Sequence, residues 1–117
     1  MANPIKWLGA TLVLALLCAV PASAQQGKFD RNHPRRAQVN KRTNNQNKRI
    51  DQGVKSGALS KGQAQQLHQE DKGIHKEERA DAAKNGGHIT KQQQKQLNHQ
   101  ENQVSKQIHE EKHPAAP

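Results

Sequence analysis

The sequence predicts an all-α protein of three polar amphipathic helices, joined by Gly-containing turns around a small core. The first observation is a half-repeat, because Leu59-Ser60-Lys61-Gly62-Gln63 recurs as Ile89-Thr90-Lys91-Gln92-Gln93. The second is that Gly ends each helical stretch and a hydroxyl residue begins the next. The third is a set of aliphatic residues at helical spacing. Together they predict helix, turn, helix, turn, helix.

The first 24 residues have the layout of a secretory signal peptide. Lys6 supplies a positive charge, an apolar run extends from Leu8 to Ala19, and Pro21 ends it. Ala22-Ser23-Ala24 then matches the small-residue site at which such peptides are cleaved. The apolar run is too short to span a bilayer as an anchor. We therefore expect cleavage near Ala24 and a periplasmic or secreted protein with no transmembrane segment.

The chain that would remain is basic, polar and free of cysteine. Cys18, the one cysteine of the sequence, falls inside the signal peptide, so the exported protein would contain no disulfide. Loss of Lys6 leaves a formal charge of +8. Leu, Ile, Val and Phe number eleven of 93 residues, below the roughly 20% at which disorder becomes common. One small, partly disordered domain is expected, or a polar chain that folds only on a partner.

Turn signals divide the rest of the chain into three parts. Residues 25–34 are predicted as a polar N-terminal lead, residues 35–112 as a helical repeat domain, and residues 113–117 as a disordered tail. Within the repeat domain the three helices are expected at about 35–55, 61–84 and 91–112.

Capping boxes are predicted at the start of the second and third of these helices. Ser60 with Gln63, and Thr90 with Gln93, have the required spacing. In this arrangement the hydroxyl accepts a hydrogen bond from the third backbone N–H, and the Gln side chain accepts one from the N-cap N–H. Each cap stabilises its helix by about 1 kcal/mol, a substantial contribution in a chain with so small a core.

The apolar seam of the predicted helices is narrow. Its members are Val39, Ile50 and Val54, with Gln46 between them, then Ala64, Leu67, Ile74, Ala80 and Ala83, and finally Leu97, Val104 and Ile108. Stripes of this width are nearer to a coiled-coil seam than to a globular face. Helical arms of one chain packing antiparallel, or two chains pairing, would both bury them. We expect self-association, as a homodimer.

Histidines form a dense set that suggests a transition metal. His68 and His75 are two helical turns apart on one face, and His109 and His113 are four residues apart. Imidazoles at such spacing suit zinc, copper or nickel, and the sequence indicates no other cofactor. The alternative is that histidine serves here as one more polar surface residue. We exclude calcium at the two turns because the loop positions that would bind it carry no carboxylate.

Positive charge is concentrated in the first predicted helix. The residues are Arg35, Arg36, Lys41, Arg42, Lys48 and Arg49. Such a cluster is attracted to phosphates or to an anionic membrane surface. Export argues against nucleic acid as the partner, and so does the scarcity of aromatic residues for stacking on bases. The expected partners are unfolded or acidic envelope proteins, or the anionic envelope surface. The alternative is a solvated face that keeps the chain soluble.

No arrangement in the sequence indicates catalysis. The serine and threonine residues fall in turns, caps or helices, without a histidine and a carboxylate placed to activate them. A chain with so small a core does not easily build a desolvated pocket in which pKa values shift. We predict that the protein is not an enzyme.

The two repeat cores that begin at Leu59 and Ile89 resemble the L-T-x-x-Q motif, which occurs twice in the Spy/CpxP family of periplasmic stress proteins. The resemblance implies a small, exported, basic helical protein that acts as a chaperone without ATP or as an envelope-stress accessory. It also implies that the motifs lie at turns between helices. The predicted function is therefore a non-catalytic, chaperone-like binding protein. The alternative is a histidine-based protein that buffers or senses zinc, copper or nickel.

Overall fold

A computed structural model describes residues 22–114 of the chain as four helices. They are α1 (Ala22–Asn32), α2 (Pro34–Ser56), α3 (Lys61–Lys84) and α4 (Lys91–Lys112). The described part of the chain contains no strand, so the all-α prediction is confirmed. The last three helices begin and end within one residue of their predicted bounds. The predicted number of three was wrong by one, because α1 forms where a polar lead was expected.

Two predicted segments lie wholly or partly outside the described residues. Residues 1–21 hold most of the predicted signal peptide, and residues 115–117 hold most of the predicted tail. Both stay predictions. Helix α1 begins at Ala22, within the predicted cleavage site. Between residues 22 and 114, none of the helices combines the length and the apolar character needed to cross a membrane.

Proline separates α1 from α2. Pro34 has no N–H, and its ring disfavours helical backbone at the residue before it. His33 accordingly leaves the helical region, with φ −133° and ψ 60°, and Pro34 becomes the first residue of α2. The break is local, because the His33 N–H still donates to the Phe29 carbonyl at 2.7 Å. Pro34 therefore begins α2 and separates it from the helix that precedes it.

Helices α2, α3 and α4 pack as a bundle whose buried positions follow a seven-residue repeat. These positions alternate in steps of three and four residues, the pattern of a coiled-coil seam. The three helices of one chain bury their apolar residues against one another, which is one of the two arrangements that the sequence allows. The repeat places the following residues inside: Val39, Thr43, Gln46, Ile50 and Gly53 of α2, Ala64, Leu67, Asp71, Ile74 and Glu78 of α3, and Leu97, Glu101, Val104 and Ile108 of α4.

The apolar seam differs from the predicted one at two places. Ala80 and Ala83 are exposed, whereas Ala82 is buried in their stead. Val54 is only partly buried and packs against the edge of the core. Steps of three and four residues from Ile74 pass through Glu78 and reach neither Ala80 nor Ala83. Ala82 lies four residues after Glu78, so the strict alternation ends at this point of α3.

Both predicted capping boxes are present. The Gln63 N–H donates to Ser60 Oγ at 3.1 Å, and the Ser60 N–H donates to Gln63 Oε1 at 2.9 Å. The Thr90 and Gln93 pair repeats this geometry at 2.8 and 3.1 Å. Leu59 and Ile89, which precede the two caps, are both buried. The half-repeat in the sequence is therefore a repeated way of starting a helix and of anchoring the turn before it.

The turn between α2 and α3 depends on two glycines. Gly57 has φ 79°, a left-handed conformation that glycine adopts without strain. Gly53 lies one turn earlier, where Leu59 folds back onto α2 and donates its N–H to the Gly53 carbonyl at 3.0 Å. A Cβ atom at Gly53 would lie 2.6 Å from Leu59 Cδ1 and 2.8 Å from Leu59 Cγ. The close approach of Leu59 therefore requires glycine at position 53.

We predict that Gly53→Ala destabilises the bundle although alanine favours helix. Leu59 is buried and cannot move aside freely, so overpacking should cost about 1 to 2 kcal/mol after the gain in helix propensity. Urea denaturation followed by circular dichroism measures the change. Gly73→Ala is the matched control, because position 73 is exposed and has no atom within 4 Å of an added Cβ. It should stabilise by about 0.5 to 1 kcal/mol, and equal effects would contradict the packing argument.

Candidate functional site

The bundle divides the predicted basic cluster of α2 into two groups. Arg36, Arg42 and Arg49 are partly buried and donate hydrogen bonds to other helices or turns. Lys41 and Lys48 are exposed. Arg35 is also exposed, but its guanidinium reaches the Ile89 carbonyl at 3.3 Å. Half of the predicted polyanion site therefore holds the fold together.

Arg42 and Arg49 of α2 form hydrogen bonds with α4 along one side of the bundle. Arg42 donates to Asn98 Oδ1 at 3.1 Å and to Asn102 Oδ1 at 2.6 Å. One heptad further along, Arg49 donates to Ser105 Oγ at 2.7 Å. In both Arg42–Asn98 and Arg49–Ser105 the partners are 56 residues apart, which is a whole number of heptads. The two parallel helices are therefore in register, and each arginine meets an equivalent position on α4.

Arg36 has a different structural role at the end of the bundle. Its guanidinium forms an ion pair with the fully buried Glu78 of α3 and donates to the Gly87 carbonyl at 3.0 Å. It also lies over the Phe29 ring, 5.1 Å from the centroid. The pair neutralises a carboxylate that would otherwise be costly to bury. Arg36 thus connects α1, α2, α3 and the turn after α3.

The α2–α3 interface holds the first of the two predicted histidine pairs. His68 Nδ1 lies 2.8 Å from Asn47 Oδ1, and His68 Nε2 lies 3.0 Å from Asp51 Oδ1. His75 Nδ1 lies 3.3 Å from Asn40 Oδ1. Both rings therefore face oxygen atoms of α2. A metal ion would have to displace these hydrogen bonds to reach either nitrogen of His68 or Nδ1 of His75.

The second histidine pair lies apart from the first. His109 and His113 are exposed near the carboxyl end of α4, with ring centroids 4.8 Å apart. Neither ring makes a hydrogen bond to another side chain within residues 22–114, so their nitrogens face solvent. The structure does not bring the four predicted metal ligands into one site. Across the described residues, no three His, Cys, Asp or Glu side chains are grouped closely enough to hold a metal ion.

A polar cleft of about 710 Å³ runs between α2 and α3. Amide, imidazole and carboxylate groups line most of it, and the residues are Gln26, Phe29, Asn40, Thr43, Asn44, Asn47, Asp51, His68, Asp71, Lys72 and His75. Five of them, Asn40, Asn47, Asp51, His68 and His75, form hydrogen bonds across the interface. The cleft contains neither a nucleophile activated by a base nor a grouping of metal ligands, so its geometry does not indicate a reaction.

The outer face of α2 carries a row of lysines that the bundle leaves free. Lys41, Lys48 and Lys55 recur every seven residues and are all exposed. None forms an ion pair with an acid in the described part of the chain. The spacing puts successive ammonium groups about 10 Å apart along one line. We refer to Lys41, Lys48 and Lys55 as the lysine row.

No family model, curated protein or solved structure matches this chain. The function is therefore argued from the site alone.

Sequence reasoning missed the charged residues of the core. Asp71 is 1% exposed and Glu101 is 0% exposed, at the same level of the bundle as Thr43. The Thr43 hydroxyl donates to Glu101 Oε1, and Gln46 Nε2 donates to the Glu101 carbonyl at 2.7 Å. The signal was present, because these residues continue the seven-residue repeat of the aliphatic positions. It was overlooked because acids are seldom fully buried.

We predict that the arginines of α2 stabilise the fold and that its lysines do not. Arg42→Gln with Arg49→Gln removes the charged hydrogen bonds to α4 and should cost about 2 kcal/mol in the free energy of unfolding. Lys41→Gln with Lys48→Gln removes the same charge from exposed positions and should change stability by less than about 0.5 kcal/mol. Urea denaturation of both double variants provides the comparison. Equal losses of stability would show that the lower net charge, rather than the loss of hydrogen bonds between α2 and α4, destabilises the protein.

Proposed function

We propose that this protein is a non-catalytic binding protein of the cell envelope that holds anionic partners on the outer face of α2. The observation that supports it is the lysine row, three exposed ammonium groups on one line with no acid paired to them. The partner favoured is the anionic envelope surface, whose phosphates present many charges in a plane. A chaperone-like or stress-accessory role would then operate at that surface.

The lysine row is suited to a flat, charged partner rather than to a small ligand. Lys41 and Lys55 lie about 20 Å apart along α2. The side chains between the lysines are short amides, such as Asn44, Asn45 and Gln52, and Gln26 and Asp30 of α1 line the same cleft as Lys41 and Lys48. Each lysine near an anionic lipid surface contributes about 1 kcal/mol to binding. Three of them give a reversible attachment that weakens as salt rises.

The closed bundle offers little to an unfolded apolar chain. Nearly all of its Leu, Ile and Val side chains lie in the core, Val54 being partly buried. Phe29 is itself covered in part by Arg36. A chaperone-like action of the closed form would therefore hold its clients through charge. Acidic proteins are accordingly the second class of partner that the lysine row would accept.

We predict that Lys41→Gln, Lys48→Gln and Lys55→Gln together abolish binding to anionic vesicles. The loss of about 3 kcal/mol corresponds to roughly a hundredfold weaker partition. Sedimentation with vesicles of phosphatidylglycerol and phosphatidylcholine measures it, with pure phosphatidylcholine as the neutral surface. Raising the salt concentration should weaken binding of the unaltered protein in the same assay.

A matched control separates the lysine row from net charge. Lys76→Gln, Lys95→Gln and Lys106→Gln remove three charges from α3 and α4, and circular dichroism checks that both triple variants fold. The control should lose several-fold less binding than the row variant. If the two variants lose the same amount, attraction depends on total charge and the proposed face is wrong.

A second candidate function is binding of zinc, copper or nickel by His109 and His113. The observation that favours it is the contact between these two exposed rings, whose nitrogens face solvent. Two imidazoles one turn apart on a helix can share one metal ion, with water completing its coordination. The hydrogen-bonded rings of His68 and His75 are less accessible to a metal.

We predict that His109→Ala with His113→Ala removes most of the affinity for Cu²⁺ or Zn²⁺, whereas His68→Ala with His75→Ala retains it. Isothermal titration at pH 7.5 measures the affinity. A parallel titration at pH 5.5 should show weaker binding, because protonated imidazole cannot bind a metal. Retention of full affinity by the His109 and His113 variant would eliminate this second candidate.

A further inference from the structure

The middle of the bundle contains two buried carboxylates without a cation. Asp71 of α3 and Glu101 of α4 are 1% and 0% exposed. Neither oxygen of Asp71 has a hydrogen-bond partner, and neither has Glu101 Oε2. Thr43 satisfies only the other oxygen of Glu101. Two like charges in so little water cannot both persist at low cost.

The charged groups that surround this pair do not neutralise it. From α2, Arg42 attracts Glu101 but bonds the amide oxygens of Asn98 and Asn102. From α3, Glu70 adds a further negative charge near Asp71. Three more groups of α3 flank the cleft: His68 and His75, whose rings bond α2, and Lys72, which is exposed and forms no ion pair with Asp71.

Glu78 is a buried acid of the same bundle whose charge is balanced by a cation. It occupies the repeat position seven residues after Asp71 and is equally buried. Arg36 forms an ion pair with its carboxylate, and His75 Nδ1 lies 3.8 Å away. Arg36 therefore balances the charge of the Glu78 carboxylate in the core. Asp71 and Glu101 have no such partner, so a proton is the remaining means of reducing their charge.

Burial, followed by the charges of Glu101 and Glu70, raises the pKa of Asp71 from 3.8 to about 7. Burial also raises the pKa of Glu101, against the opposing effects of Thr43 and Arg42. A raised acid pKa means that the folded state binds the proton more tightly than the unfolded chain. The stabilisation that the folded state gains from binding this proton is greatest below about pH 4 and declines as pH rises to about 7.

We propose that Asp71 and Glu101 form a proton-controlled latch: the bundle stays closed while the pair holds a proton and opens at this level when the proton leaves. On α3 the pair is flanked by Leu67 and Ile74, and on α4 by Leu97 and Val104, all of them buried in the closed form. Opening exposes this apolar seam to solvent. The latch lies inside the bundle and does not depend on the lysine row.

The latch is tested with thermal melts followed by circular dichroism from pH 4.5 to 8.5. For the unaltered protein, each pH unit between about 4 and 7 should lower the ratio of closed to open molecules, by up to tenfold. Binding of a dye specific for apolar surface should increase over the same range. Asp71→Asn, which cannot ionise, should flatten the pH dependence and raise the melting temperature at pH 8.

Glu110→Gln is the matched control, because it removes one negative charge from an exposed position. It should keep the pH dependence of the unaltered protein. Equal pH dependence in Asp71→Asn and the unaltered protein would overturn the latch.

A direct titration covers the case in which Asp71→Asn does not fold. Carbon-13 resonances of the carboxyl groups in the unaltered protein report protonation of Asp71 residue by residue. A titration midpoint near 7 supports the latch, whereas a midpoint below 5 overturns it. Binding to anionic vesicles, compared between the unaltered protein and the variant that lacks Lys41, Lys48 and Lys55, tests the lysine row separately.

Discussion

The seven-residue repeat of α2 determines which of its side chains are available for function. The row that contains Asn40 and Asn47 faces α3, and the row that contains Arg42 and Arg49 faces α4. Among the described residues, the lysine row on the far side forms no ion pair with another helix. A helix rich in charge therefore has a narrow functional face, because two of its three polar sides are occupied by the fold.

Each interface of the bundle has its own polar chemistry. Between α2 and α4, arginine forms hydrogen bonds with asparagine and serine. Between α2 and α3, asparagine forms hydrogen bonds with histidine. Between α3 and α4, Gln100 donates to Glu77 at 2.8 Å. Such differences between interfaces favour one arrangement of the helices over its alternatives. The core contributes less to that choice, since its apolar seam is thin and interrupted by Asp71, Glu78 and Glu101. Specificity therefore comes from the polar contacts of the interfaces rather than from the core.

The sequence predicted the helices well because their signals are local. Ser60, Thr90 and Gly57 act within one turn, and the structure places each as expected. It predicted the site less well because the role of a charged side chain depends on what lies across the bundle. Nothing in the residues around Arg42 distinguishes it from Lys41; only the position of α4 does. The buried acids were missed for the same reason, since their burial is imposed by three helices at once.

The register between α2 and α4 also constrains how this chain can change in length. Three side-chain hydrogen bonds between these helices, Arg42–Asn98, Arg49–Ser105 and Gln38–Gln94, join residues that are 56 apart, so this pairing depends on the number of residues in between. An insertion of one or two residues within α3 would rotate its acids out of the core and misalign the arginines. Related chains should therefore differ by whole heptads within the helices and by single residues only at the turns. The turn at residues 85–88, where two glycines already relax the backbone, is the most permissive place for such variation.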